Sequence, residues 1–277
     1  MSKKDRFYQL LRLAESVALL AGHHLKANQA SWKKVKSSAA HDIKVRADTE
    51  AESYILKQLA MGSDIPILSE ESGYTSNKKS EIMWIVDPLD GSLNYHQKIP
   101  FCCVSIALYK GQDAILGVVY DFNSDELFSG LVGTGAWLNH IQIFPSDTSK
   151  TSKAILGTGF PAMLNYSSDS LNRFVSQVQK FRKVRLLGSA ALSLSYVASG
   201  RLDAYCEQNI MAWDIAAGCA LVKASGGNVS IEFGEDMFAP VTVVANNGKL
   251  PYEPYKTLSK KKPIDSAISQ NSVNKKS

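Results

Sequence analysis

The sequence predicts an α/β (α+β) protein, with an N-terminal, largely antiparallel sheet followed by a C-terminal mixed sheet with helices. Two patterns predict it. In the first half, Phe101 to Tyr109, Ala114 to Tyr120, Glu126 to Val132 and Ala136 to Leu138 read as consecutive strands joined by hairpin-type turns. In the second half, strand and helix patterns alternate. The length permits it: 277 residues, 45% hydrophobic and 21% charged, can bury one large core or two smaller ones. The organisation that follows is an α+β domain over 1–147, an α/β domain over 148–258 that completes its site, and a basic tail over 259–277, expected to be disordered.

Taken in order, Phe7 to Lys26 places Phe7, Leu10, Leu11, Ala14, Val17, Ala18, Ala21 and Leu25 at helical spacing, which predicts an amphipathic helix packed on the body. His23 and His24 at its end are adjacent, so they point about 100° apart and read as surface or cap residues rather than a metal pair. Lys33, Lys34 and Lys36 with Ser37 and Ser38 read as a polar, mobile connector, either a solvated charge run or a flap whose lysines draw in a phosphate. A second helix holds Ala51, Ile55 and Leu59. Asp48 lies at its start, where an acid ordinarily caps the helix or complements its dipole. Ile65 to Leu68 reads as a short buried strand that stops at Ser69-Glu70-Glu71-Ser72-Gly73, and Tyr74 to Glu81 as a polar loop.

The next stretch, Trp84 to Ser92, organises the rest. Ile82 to Val86 reads as a buried strand ending in Asp87. Pro88 lacks an N–H, so the strand is expected to stop there. Asp90 follows at a turn, Gly91 permits a close backbone approach, and Ser92 stands where a short helix would begin. Two acids at a strand end can share a cation, and amides at a helix start can face an anion. On its own, the pentapeptide Asp87 to Gly91 also fits an ordinary turn.

Past the hairpins, Pro145 to Lys153 reads as a link. Strand Ala154 to Gly157, helix Asp169 to Lys180, strand Val184 to Leu187, helix Ala190 to Ser199 and strand Leu202 to Cys206 follow. Trp213-Asp214 opens a helix that is apolar on nearly every side and therefore deeply buried, ended by Gly226-Gly227. Val241 to Ala245 is a final strand. Gly133-x-Gly135 lacks the third glycine and the strand-to-helix setting of a dinucleotide fingerprint.

Composition excludes several classes. No apolar run approaches the ~20 residues needed to cross a bilayer. The N-terminal helix is interrupted by Arg12 and Glu15, unlike a signal peptide, so a cytoplasmic location is expected. Cys102, Cys103, Cys206 and Cys219 form no Cys-x-x-Cys pair and are expected to be reduced. The formal charge is +5, but the tail carries five lysines against one aspartate, which leaves a nearly neutral body without a nucleic-acid footprint.

Four separate segments present acids at element ends: Asp48, Glu70, the Asp87/Asp90 pair and Asp214. If they converge, each pair repels by roughly 4 kcal/mol at ~4 Å and an effective dielectric near 20. Such a cluster implies bound cations, and oxygen-only ligands point to Mg²⁺, Mn²⁺ or Ca²⁺ rather than zinc.

These pieces resemble the inositol monophosphatase family, within the Mg²⁺-dependent, lithium-sensitive phosphatases. The matching motifs are Ser69-Glu70-Glu71-Ser72, Asp87 to Tyr95, and Trp213 to Gly218 through Gly226-Gly227, with Gly188 to Ala191 and Leu202 to Tyr205 in support. They cover the chain from about Asp42 to Gly227, in order. The resemblance implies a layered αβαβα sandwich and a phosphomonoesterase acting on inositol monophosphate or a related sugar or polyol phosphate. It implies two or three Mg²⁺ ions, with Mn²⁺ an alternative, held by Glu70, Asp87, the Leu89 carbonyl, Asp90 and Asp214. Asp48 and Ser92 would orient the water that a metal and Glu70 activate, which makes Asp48, Glu70 and Ser92 the catalytic set. Gly91 and Ser92 would bind phosphate. Gly188, Ser189 and Ala190 would line the alcohol pocket, and Glu207 would bond a substrate hydroxyl. A small phosphorylated metabolite as ligand, inhibition by lithium and a homodimer are implied likewise.

The chain departs from the family's usual pattern at Ser92, where threonine is common, at Lys44 and Arg46 before Asp48, and at Leu93, where many members have a small polar residue. These changes leave the metal ligands intact and bear on the substrate. The alternatives are a 3′(2′),5′-bisphosphate nucleotidase, fructose-1,6-bisphosphatase-like activity, and a catalytically silent binder of a regulatory partner. The nucleotidase relatives typically place a lysine where this chain has Leu93-Asn94, and the complete acid set argues against the binder.

Overall fold

The computed structural model describes residues 3–38, 43–75, 80–160, 167–233 and 239–252. The tail expected over 259–277 lies outside them.

Helix α1 (Lys3–Trp32) buries the predicted stripe from Leu10 to Leu25 against α2 (Arg46–Gly62), which buries Ala47, Ala51, Ile55 and Leu59. His23 and His24 are exposed, as expected. Part of the lysine-rich connector expected as a loop is strand: Lys33 and Lys34 are a turn and irregular backbone, but Lys36 to Ser38 belong to β1 (Val35–Ser38), antiparallel to β2 (Ile43–Val45). The β-branched residues Val35, Ile43 and Val45 suit a ladder that the lysines conceal in the sequence.

The first sheet is built from β3 (Ile67–Ser69), β4 (Gly73–Tyr74), β5 (Ile82–Asp90), β6 (Cys103–Lys110), β7 (Asp113–Asp121), β8 (Glu126–Leu131), β9 (Gly135–Leu138) and β10 (Ile141–Ile143). Its spatial order is β10-β9-β8-β7-β6-β5-β3-β4, antiparallel throughout except for the parallel pair β3–β5. The strand expected to stop at Asp87 continues through Pro88 to Asp90. The ladder skips there: Asp87 stands opposite Ser105 and Asp90 opposite Cys103, so three residues of β5 span two of β6. A bulge of this kind accommodates a residue with no N–H to donate. Helix α3 (Ser92–Gln97) follows directly.

The second half contributes β11 (Ile155–Thr158), α4 (Ser168–Val178), β12 (Lys183–Arg185), α5 (Ala190–Ala198), β13 (Ala204–Ile210), α6 (Ala212–Ser225), β14 (Asn228–Glu232) and β15 (Val241–Asn246). The order β12-β11-β13-β15-β14 is mixed, with β11 parallel to both neighbours and the remaining pairs antiparallel. Strand β14 extends the expectation. Its Asn-Val-Ser-Ile-Glu alternation is that of an edge strand with one wet face.

Side-chain parity stacks the layers. On β5, Trp84 and Val86 join the core beneath α1 and α2, whereas Ile85 faces the core built around α5 and α6. On β13, Tyr205 faces α5 and α6, while Ala204 and Cys206 join an outer core with Val178 at the end of α4. The result is a layered αβαβα sandwich whose central helices touch both sheets. Helix α6 is buried from Ile215 to Val222 without a break, as its all-round apolarity predicts. Gly117 of β7 faces it so closely that a Cβ would overlap the Ala217 carbonyl. All four cysteines are free and buried.

Candidate active site

The same parity fixes the site. Asp87 shares the face of Ile85, and Glu207 that of Tyr205, so both point toward the central helices. Those helices begin at this end of the fold, α5 after Ser189 and α6 after Met211. A cleft of about 550 Å³ lies between, lined by Glu70, Asp87, Leu89, Asp90, Gly91 and Ser92 from the first half. Gly188, Ser189, Ala190, Glu207 and Asp214 line it from the second.

Protein donors hold one oxygen of each aspartate. Asp87 Oδ1 accepts the Leu89 N–H at 2.9 Å. Asp214, third residue of α6, accepts the Met211 N–H through Oδ2 at 3.1 Å and so caps its own helix. Asp90 Oδ2 accepts the Ser189 hydroxyl at 2.6 Å and the Ala191 N–H at 2.7 Å, which clasps the end of β5 to the first turn of α5. Gly91 has φ 90°, and a Cβ there would crowd the carbonyls of Phe101 and Gly188. Only glycine passes this point at ease.

Asp48 does not line the cleft but reaches it through Ser92. It is the third residue of α2, where its Oδ2 accepts the Val45 N–H at 2.6 Å, the capping role the sequence suggests. Its Oδ1 accepts the Ser92 hydroxyl, also at 2.6 Å. The Ser92 hydroxyl also lies 3.0 Å from the Leu89 carbonyl, so its one hydrogen has two acceptors on the protein side, the Asp48 contact being the shorter, and its lone pairs are left toward the cleft.

The electrostatics are those of carboxylates short of positive charge. Burial pushes the Asp87 carboxyl well above the usual range, and the charges of Glu70, Asp90 and Asp214 push it further. Asp214 is raised well above as well, by burial and then by Glu70 and Asp90. Asp90 rises to about 6 through burial, opposed by its bonds to Ser189 and Ala191. Among the described residues lining the cleft there is no lysine or arginine. Nor are any three His, Cys, Asp or Glu groups among the described residues arranged as they stand to hold one metal ion. The donor set nevertheless fits hard divalent cations. It is all oxygen, Asp87 and Asp90 are buried while Glu70 and Asp214 are half-buried, and the charges of Glu70 and Asp90 raise the proton affinity of Asp87 and Asp214 until a cation or a proton offsets the repulsion. Glu70, Asp87, Asp90 and Asp214 are the residues that would hold such ions.

Several participants escaped sequence reasoning. Thr158, Gly159 and Phe160 at the end of β11 line the cleft. Tyr205 donates its hydroxyl to Glu207 Oε2, and burial raises the Glu207 carboxyl to about 7. A Cβ at Gly159 would overlap the Glu207 carboxylate. Asn94 donates to the carbonyls of Phe101 and Leu187, at 2.8 Å each, and ties α3 to the segment before α5. Parity along β13 would have exposed the Tyr205–Glu207 pair. The contacts of Gly159 and Asn94 have no local signal.

Comparison with known proteins agrees with this geometry. The sequence profile of the inositol monophosphatase family matches residues 6–262. The chain belongs to that family, phosphatases that hydrolyse phosphate monoesters and generally depend on Mg²⁺. Among particular relatives, an inositol-1-monophosphatase of Mesorhizobium japonicum is 35% identical over 243 residues, covering 86% of this chain and 91% of its own. The Nus factor SuhB of Escherichia coli K12 is 33% identical over 249 residues, with 88% and 93% covered. The solved structure of inositol monophosphatase from Anabaena (Nostoc) sp. PCC 7120 superposes with a TM-score of 0.77 at 34% identity, over 88% of this chain and 92% of that one.

Proposed function

We propose that this chain is a Mg²⁺-dependent phosphomonoesterase acting on inositol monophosphate or a closely related polyol or sugar monophosphate. One observation carries the reading: Asp87 and Asp214, from opposite halves of the chain, face one cleft, and Glu70 and Asp90 raise the proton affinity of both. A phosphate ester would not approach that group of acids unless cations inverted the local field. When bound, Mg²⁺ supplies Lewis acidity and charge neutralisation to the phosphoryl group and its leaving oxygen.

The chain's own residues do the rest. Ser92, its hydrogen taken up by Asp48 and the Leu89 carbonyl, accepts a hydrogen from water and turns a lone pair of that water toward phosphorus. Glu70, which lines the same cleft, is the carboxylate that accepts the proton the water loses. Gly91 and Ser92 open the turn that receives the phosphate oxygens. Glu207, braced by Tyr205, and the Gly188 to Ala190 segment receive the hydroxyls of the alcohol.

The cleft also favours one phosphate over two. Leu93 brings an exposed apolar side chain to its rim, and Asn94 is engaged with backbone carbonyls. The described lining residues include no lysine or arginine to meet a second phosphate. This weighs against the bisphosphate nucleotidase and fructose-bisphosphatase alternatives. Lithium inhibition and a homodimer belong to the same reading, tested by turnover in millimolar lithium and by sedimentation.

The deciding experiment is Mg²⁺-dependent phosphate release from inositol phosphates, hexose phosphates, fructose bisphosphate and adenosine bisphosphate, with Asp90→Asn as control. Turnover of the monophosphates by the wild type alone supports the proposal. Equal inactivity of both proteins on every substrate sinks it in favour of a binder.

A further inference from the structure

Glu52 is a buried carboxylate that the proposed reaction does not use. It lies one helical turn beyond Asp48, on the same stripe of α2 as Ile55 and Leu59. Its Oε1 accepts three donors: the N–H of Glu71 at 3.2 Å, the N–H of Ser72 at 3.0 Å and the Ser72 hydroxyl at 3.1 Å. All three belong to the turn immediately after Glu70. Glu70 itself donates its N–H to the Val86 carbonyl at 3.3 Å, one residue before Asp87.

The backbone at Glu70 is thus gripped from two sides. On one side β5 holds it level with Asp87. On the other, a side chain from α2 fixes the two residues that follow. The next stretch returns into β4, which pairs Leu68 with Tyr74 and Ser69 with Gly73 and is extended by two bonds between Ile67 and Thr75, a short hairpin whose ladder does not reach Glu71 and Ser72 in the turn. A buried carboxylate is a costly way to close a hairpin, because an apolar side chain would suit the surrounding core better. What the carboxylate adds is a fixed acceptor at a fixed distance.

We propose that Glu52 is the positioning residue for Glu70. Helix α2 then carries two arms of the site, one helical turn apart: Asp48 orients Ser92 and Glu52 orients the Glu70 turn. The inference rests on the reading of Glu70 as metal ligand and base.

The test compares Glu52→Gln, Glu52→Asp and Glu52→Leu. Gln keeps an oxygen acceptor at the same reach. Asp keeps the charge but withdraws it by one carbon. Leu removes the acceptor. Three quantities are read: amide hydrogen exchange at Glu71 and Ser72, Mg²⁺ affinity from calorimetry, and kcat against KM for inositol 1-phosphate.

In Glu52→Asp and Glu52→Leu, exchange at Glu71 and Ser72 should accelerate at least about tenfold while core amides of β5 stay protected. Mg²⁺ affinity and kcat should each fall about 10- to 100-fold with KM changed less than about threefold, the range typical of supports behind a ligand. Glu52→Gln should remain within about threefold of wild type on all three. Should Glu52→Leu not fold, the Asp and Gln pair decides. Unchanged exchange and Mg²⁺ affinity in Glu52→Asp overturn the proposal, as does a Gln variant as impaired as Asp, which would assign the effect to charge. A wild type inert on every substrate would refute the phosphatase reading instead, while the exchange and Mg²⁺ arms would still judge Glu52.

Discussion

Ser92 and Asp48 lie 44 residues apart in sequence and are joined by a 2.6 Å hydrogen bond from the serine hydroxyl to Asp48 Oδ1. The other Asp48 oxygen caps α2 through the Val45 N–H. One carboxylate therefore fixes both a helix start and the orientation of a hydroxyl in the cleft. Ser92→Ala should lower kcat by about 10²- to 10³-fold with little change in KM, as expected when a proton-handling group is lost. Ser92→Thr should keep most of the activity, since the hydroxyl survives and its methyl only narrows the rotamers. Steady-state kinetics at saturating Mg²⁺ distinguish the two.

Glu207 is packed against Gly159 so tightly that a methyl group at that glycine displaces its carboxylate. Gly159→Ala should raise KM for a polyol phosphate about tenfold or more while leaving the Mg²⁺ requirement unaltered, because a buried acceptor for a substrate hydroxyl is lost. A simpler substrate without the hydroxyls, such as p-nitrophenyl phosphate, should show no such change. Comparing KM for the two substrates in the same variant is the check.

Much of the site was legible because its chemistry sits at element ends. An apolar run that stops in an acid, at Leu68-Ser69-Glu70 and at Val86-Asp87, announces a carboxylate at the end of a buried strand. The apolar helix opened by Asp214 announces another. Strand alternation likewise gave the antiparallel sheet and the mixed one. Other features were hidden for physical reasons. Pro88 marks a strand end in the sequence, yet the β5 bulge carries the strand two residues further. The lysines of the connector mask the ribbon formed by Val35, Ile43 and Val45. Glu52 resembles any solvent-facing glutamate of an amphipathic helix. Only the fold, by returning the Glu70 turn over α2, buries it.

Metal-free protein should become more stable as the solution is acidified from pH 8 toward pH 5. The native carboxyls of Asp87 and Asp214 are raised, Asp90 to about 6 and Glu207 to about 7. Between the unfolded value near 4 and these native values, the native state binds more protons than the unfolded one, so stability falls as pH rises through that window. In EDTA, Tm should rise by at least about 3 °C from pH 8 to pH 5.5. Saturating Mg²⁺ should flatten or reverse the slope, because it binds the deprotonated acids. Differential scanning calorimetry at the two pH values, with and without Mg²⁺, reads both effects.

Packing between the first sheet and the central helix can be probed away from the cleft. Gly117→Ala places a Cβ against the Ala217 carbonyl, which is backbone and cannot swing aside. The cost should be about 1–3 kcal/mol, the usual size for overpacking. Urea unfolding should show a lowered midpoint with an unchanged slope. Mg²⁺-dependent turnover at low temperature should be largely retained.

The central claim is that acids from both halves of the chain share divalent cations. Isothermal titration of Mg²⁺ into wild type, Asp87→Asn and Asp214→Asn, at pH 7.5 and on folded protein verified by circular dichroism, tests it most directly. The account predicts saturable binding to the wild type and affinity at least about tenfold weaker in either variant. Binding in both variants that matches the wild type, or none in the wild type at millimolar Mg²⁺, would contradict it.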